Sequence, residues 1–273
     1  MSPGHQSGLR ELLLLCSLMP LRPTVATNGA AAGNSLPPPR PLFDADLFVG
    51  GQGGYACYRL PNLVRMRAAG HLLAVVQGHK YDCSDGGRMD ILSRRSLNGG
   101  KTWGPPRLVH GESTPTKNVT MGTPAVVVDM VGGGVKAFPA GTVHLFICRD
   151  FKSVLLLSSR DSGTTWSPPH DLTKSLVLGG WTGVWTGLPQ GIQLSTSGRL
   201  LVCANHGFSG TTTRPGGTHS HTIYSDDHAT SWRNGNSVGV RNSTFRDGAQ
   251  HMGECSLAAT SATVAMCKYV SSY

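Results

Sequence analysis

Arg59 stands in the run Tyr58-Arg59-Leu60-Pro61-Asn62-Leu63-Val64, just ahead of an apolar stretch that reads as a strand. A guanidinium there offers two parallel donors to a carboxylate, with a strength and orientation that lysine cannot match. The plain alternative is a surface arginine. Downstream, the segment from His79 to Asp90 holds three carboxylates, Asp82, Asp85 and Asp90, in and beside one loop. A loop carboxylate that is desolvated against a ligand can deliver a proton and take it back, the work of a general acid and base. Asp90 falls within an alternating strand pattern and is expected to face a structural partner, whereas Asp82 opens the loop. A further carboxylate, Glu254, lies in Gly253-Glu254-Cys255. No Cys-x-x-Cys or His-x-x-x-His spacing points to zinc, and neither a metal nor a cofactor is implied.

These residues flank a series of turns that repeats. Ser159-Arg160-Asp161-Ser162-Gly163-Thr164-Thr165-Trp166 recurs in altered form at Ser96 to Trp103 and Ser225 to Trp232, with starts 63 and then 66 residues apart. Asp or Asn accepts local backbone N–H bonds, Gly takes a positive φ, and Trp anchors the turn by burial. A near-constant period of this size, with several strand-like runs between copies, predicts a propeller or solenoid. Gly122 to Asp129 and Gly141 to Cys148 read as strands around a glycine loop, and Gly187 to Leu194 with Gly198 to Ala204 reads as a hairpin. The glycines at 132–134 are not a phosphate loop, because no Gly-Lys-Ser/Thr follows them.

The composition agrees with a turn-rich, all-β chain: 273 residues, 36 Gly, 17 Pro and 14% charged residues. The formal charge of +9 favours acidic partners, yet Lys and Arg are scattered without a basic block, which argues against nucleic acid. Residues 1–35 carry the apolar run Leu12 to Met19 followed by small residues. They read as a signal-like segment whose apolar run is too short to span a bilayer. Residues 36–41, Leu-Pro-Pro-Pro-Arg-Pro, read as an extended linker into a folded domain over 42–273. If the chain enters the secretory pathway, Asn118-Val119-Thr120 and Asn242-Ser243-Thr244 are glycosylation sequons. Seven cysteines leave six once Cys16 is set aside with the signal-like segment. Six could all pair, with undetermined connectivity.

The octapeptides resemble the Asp boxes of the sialidase (neuraminidase) superfamily, and Tyr58-Arg59-Leu60-Pro61 resembles that family's Phe/Tyr-Arg-Ile/Leu-Pro motif. The resemblance implies a six-bladed β-propeller of which about four blades are present here. It assigns Arg59 to the clamp on the carboxylate of sialic acid. Counting back from Ser96 assigns Asp85 as the acid/base, with Asp82 and Asp90 as competitors. Glu254 becomes the activator of a tyrosine nucleophile, since phenol is a poor nucleophile near neutral pH and an adjacent carboxylate can take its proton. Trp181 and Trp185 could pack against a sugar face, with burial between blades the expected role.

The match also has departures. Where the family has Glu-x-Arg, this chain has Gln77-Gly78-His79. His79 reads either as an anion-binding residue in an acidic compartment or as a neutral loop residue. Lys268, in the terminal run Thr263 to Lys268, takes the place of a second clamp arginine. Tyr269 and Tyr273 do not match the nucleophile, so little turnover is expected of the residues given. The implied activity is that of an exo-α-sialidase, a retaining glycoside hydrolase of the secretory pathway, lysosomal or extracellular. Its substrates would be sialylated oligosaccharides, glycoproteins or gangliosides. The alternative is a sialic-acid-binding or protein-interaction propeller without catalysis.

Overall fold

The computed structural model describes residues 45–133, 138–187, 190–209 and 217–237 with their side chains, and the backbone of 253–259 and 264–270. The signal-like segment, the linker and the Asn242 sequon lie outside the described residues. The first blade is a four-stranded antiparallel meander of β1 (Cys57–Arg65), β2 (Leu72–His79), β3 (Met89–Ser96) and β4 (Arg107–His110). The second repeats it with β5 (Met121–Asp129), β6 (Thr142–Arg149), β7 (Ser153–Ser159) and β8 (His170–Asp171). After a one-turn helix, α1 (Thr173–Leu176), the third blade has β9 (Trp181–Thr186), β10 (Ile192–Gln193), β11 (Leu200–Phe208), β12 (Gly217–Ser225) and β13 (Arg233–Asn234). A hairpin of β14 (Gly253–Ala259) and β15 (Val264–Val270) follows, with β14 lying alongside β11 and β12. The sheets are those of a partial β-propeller, as the spacing of the octapeptides predicts. The strand at Trp181–Thr186 was not foreseen. It pairs with β11 beyond the short β10, so β9 and β10 line the same edge of β11 in turn.

Apolar alternation explains how the blades stack. In β5, Ala125 and Val127 belong to the core shared with the third blade, while Val126 and Val128 belong to the core shared with the first. In β6, Phe146 and Cys148 face one way and Val143, Leu145 and Ile147 the other. The second blade is therefore buried on both faces, and its strands read as continuous apolar runs rather than as half-buried alternation. Trp232 of the third octapeptide closes the outer end of one core, edge-on to Phe146 at 4.7 Å between ring centroids.

The three octapeptide turns share one hydrogen-bond plan. The first serine of each accepts the backbone N–H four residues on, from Gly100 (2.9 Å), Gly163 (2.8 Å) and Ala229 (2.9 Å). The third residue accepts from residue seven: Thr102 N–H to Asn98 at 2.9 Å, Thr165 N–H to Asp161 at 2.8 Å, and Ser231 N–H to Asp227 at 2.8 Å. Two successive left-handed residues make the turn: Gly99 and Gly100, Ser162 and Gly163, His228 and Ala229. The middle copy is the most densely bonded. Partial burial pushes the Asp161 carboxyl up, but the Thr165 hydroxyl and amide, the Ser159 hydroxyl and the Thr164 amide outweigh it and hold the pKa down to about 2.

Asp161→Ala is expected to cost about 1–2 kcal/mol near neutral pH, because exposed hydrogen bonds are worth less than buried ones. The folded-state value is depressed, so this contribution is complete above the ordinary value of 3.8 and fades as the pH falls toward about 2. Urea midpoints of the two proteins should differ at pH 7 and converge near that lower limit. Equal midpoints at pH 7 would contradict the assignment.

Candidate active site

The end of the blades opposite the octapeptides carries Arg59, the loop at 80–88 and the start of each inner strand. Both complete inner strands are bent there by the same device. Leu60 (φ 54°) precedes Pro61 and Thr123 (φ 47°) precedes Pro124, and each interrupts the pairing by one residue. A non-glycine residue in the left-handed region costs about 1–2 kcal/mol, which the surrounding contacts must offset. They are present. Asn62 donates to Pro124 O at 2.9 Å and accepts from Val126 N at 3.3 Å, and Thr186 Oγ1 donates to Thr123 O at 2.8 Å. The bulges therefore also staple neighbouring blades together.

Arg59, two residues before the first bulge, points its Nη1 at Cys83 O (2.9 Å) and pairs with the Asp85 carboxylate. The side chains are 37% and 68% exposed, so the pair sits open to a ligand. The other two carboxylates of this segment are occupied differently. Asp82 accepts the Ser84 amide (2.9 Å) and hydroxyl, which hold its carboxyl below the usual range and fix the turn. Asp90 is buried, accepts the Tyr55 hydroxyl at 2.8 Å and lies 3.9 Å from Lys80 Nζ. Burial, together with that bond to Asp90, pushes the Tyr55 phenol up, and Lys80 rests 3.6 Å from the centre of its ring.

His79 is the last residue of β2 rather than part of the loop, and only 2% exposed. Burial, with the Arg59 charge beside it, lowers its pKa, so the ring is uncharged where an exposed histidine would begin to protonate. That environment favours a neutral ring over an anion clamp. Gln77 reaches across to the second blade: its Oε1 accepts Thr123 N at 3.3 Å, beside the second bulge. Next to it, the Phe151 and Trp185 rings lie 6.1 Å apart. Trp181, half-buried, stacks on His206 at 3.8 Å and packs against the edge of the core between the second and third blades.

Glu254 and Lys268 lie on β14 and β15, where Cys255 pairs with Lys268 and Glu254 with Tyr269. Their side chains are outside the described residues. Among those described, no group of His, Cys, Asp or Glu could hold a metal ion.

One contributor to the site was not legible beforehand. Cys57 and Cys83 form a disulfide, joining the strand two residues before Arg59 to the loop two residues before Asp85. With the Arg59 to Cys83 hydrogen bond it closes a small ring that includes Arg59. The six-cysteine pairing, by contrast, is corrected. Cys203 is disulfide-bonded, but Cys148 is free, buried among the apolar residues of the second blade, and bonded to Val184 O at 3.0 Å. Burial pushes its thiol up, which makes it an inert core residue.

The Cys57–Cys83 bridge spans 26 residues, for which loop-closure entropy gives about 3–4 kcal/mol of stabilisation. Reduction, or the double Cys57→Ala/Cys83→Ala variant, should lower the urea midpoint accordingly and open the 80–88 loop to proteolysis. A loop as resistant after verified reduction as before it would show that the bridge does not position Asp85.

A family model described as a BNR repeat-like domain matches residues 70–268. The chain belongs to the BNR repeat-like domain family, within the sialidase superfamily. The sialidase of Micromonospora viridifaciens is 30% identical over 231 residues, 77% of this chain and 34% of the relative. Human sialidase-4 is 29% identical over 219 residues, 74% and 43% of the two chains. Among solved structures, the Hadza microbial sialidase Hz136 superposes with a TM-score of 0.59 at 25% identity, covering 70% of this chain and 39% of its own. The chain thus spans less than half of each of these relatives. In this chain Arg59 and Asp85 are in contact, and Gln77 and His79 are buried at the end of the neighbouring strand β2.

Proposed function

We propose that this chain forms the substrate-carboxylate side of an exo-α-sialidase, a retaining glycoside hydrolase acting on terminal sialic acids of glycoconjugates. The observation that supports it best is the open contact between Arg59 and Asp85 at the bent end of β1 in a chain of this family. Arg59 binds the substrate carboxylate through its two-pronged donor face. Asp85, released from Arg59 as that carboxylate takes its place, delivers a proton to the departing glycosidic oxygen and then accepts one from water. Glu254 assists the nucleophile by taking its proton. The disulfides fit a protein of the secretory pathway, lysosomal or extracellular.

A second reading, sialic acid binding without turnover, draws on Gln77 and His79, which leave uncharged groups where the family has charged ones. Two measurements on the purified protein separate the readings. Calorimetric titration with N-acetylneuraminic acid is expected to give saturable binding under both, and release of a fluorogenic aglycone under the first alone. Absence of binding would remove both.

A further inference from the structure

We propose that Asn118 carries an N-linked oligosaccharide that stands at the rim of the active-site end and screens it from large substrates. Asn118-Val119-Thr120 lies in the connection from β4 to β5, where Asn118 is exposed and the two residues after it are buried. The connection is well anchored. Thr114 and Lys117 form a tight turn (Thr114 N to Lys117 O, 2.8 Å), and Val119 exchanges bonds with Ser113 Oγ (2.9 and 3.1 Å). Val119 O accepts Met89 N at 3.2 Å. Thr120 Oγ1 donates to Gly87 O at 2.9 Å, and Gly87 is two residues along the loop from Asp85. A group attached to Asn118 is thus held next to the loop that carries the proposed acid/base.

The second, independent observation is chemical. The Cys57–Cys83 bridge and the bonded Cys203 form in an oxidising compartment, and in eukaryotes the secretory lumen that oxidises thiols also glycosylates sequons. The donor is an oligosaccharide on a lipid pyrophosphate. Asn118 Nδ2 bonds to the anomeric carbon, the anomeric C–O bond breaks with its electron pair leaving on the pyrophosphate, and one amide proton passes to the transferase's base. Modification occurs as the chain emerges, so burial of Thr120 in the folded protein does not oppose it.

The site itself is independent of the sialidase reading; its screening effect rests on that reading. The full chain, secreted from animal cells, is compared by intact mass before and after peptide N-glycosidase in four forms: unaltered, Asn118→Gln, Thr120→Ser and Asn242→Gln. The unaltered, Thr120→Ser and Asn242→Gln proteins should each carry a glycan that Asn118→Gln lacks. Thr120→Ser keeps the sequon and the hydroxyl bonded to Gly87, and so controls for misfolding. A mass for Asn118→Gln indistinguishable from the unaltered protein overturns the site. For screening, Asn118→Gln should release sialic acid from a sialylated glycoprotein several-fold faster, with a small aryl sialoside unchanged. Equal response of both substrates overturns the screening. No turnover by any form counts against the sialidase reading, and the mass result still decides the site.

Discussion

Asp85→Asn is expected to lower turnover of a sialylated disaccharide by about 10²–10⁴-fold, the usual worth of a positioned general acid/base. The amide keeps the size of the carboxylate and cannot supply the proton. Two features distinguish this from simple damage. First, the loss should depend on the leaving group. A sugar alkoxide needs protonation to depart, whereas an acidic phenol leaves largely unaided, so an aryl sialoside should suffer far less. Second, ligand affinity should hold or improve, because the Asp85 carboxylate occupies Arg59 in the free protein and competes with a ligand's carboxylate for it. Stopped assays on both substrates, with titration of N-acetylneuraminic acid, provide the check. An equal loss on both substrates would assign Asp85 to holding Arg59 rather than to proton transfer.

Why Asp85 could be singled out at all is instructive. Its position follows from counting back from Ser96: the octapeptide fixes where β3 ends, and the hairpin geometry fixes where β2 must end. The rest of the choice rested on pattern. Asp90 alternates with apolar residues, and the structure gives it Tyr55 as a buried partner. What the sequence hid is whatever depends on contacts distant along the chain. The Cys57–Cys83 bridge is common to three of the fifteen complete pairings open to six cysteines, and Cys148 departs from all fifteen because its neighbours in space are apolar. His79 was open between cation and neutral ring, since its titration is set by burial in three dimensions and not by its neighbours in sequence. The strand at Trp181–Thr186 was missed because two tryptophans, a glycine and two threonines make a weak alternating signal, whereas pairing with β11 makes it unambiguous. Gln77, part of the segment that departs from the family pattern, spans two blades.

Arg59→Ala should weaken binding of N-acetylneuraminic acid by about 30- to several-thousand-fold, corresponding to the roughly 2–5 kcal/mol lost when one partner of a hydrogen-bonded charge pair is truncated. Arg59→Lys should fall between, since it keeps the charge and loses the planar fork. The difficulty is that Arg59 also holds Cys83 O and Asp85, so its removal could act by loosening the loop. Asp85→Asn controls for that, because it severs the ion pair and leaves the disulfide and the Cys83 contact in place. If Arg59 acts through the ligand, Arg59→Ala loses affinity where Asp85→Asn does not, and the loss is specific to the carboxylate. The methyl ester of the same sugar should then bind both the unaltered and the Arg59→Ala protein with the same low affinity. A methyl ester that binds the unaltered protein as tightly as the free acid would place the carboxylate elsewhere and remove Arg59 from the site.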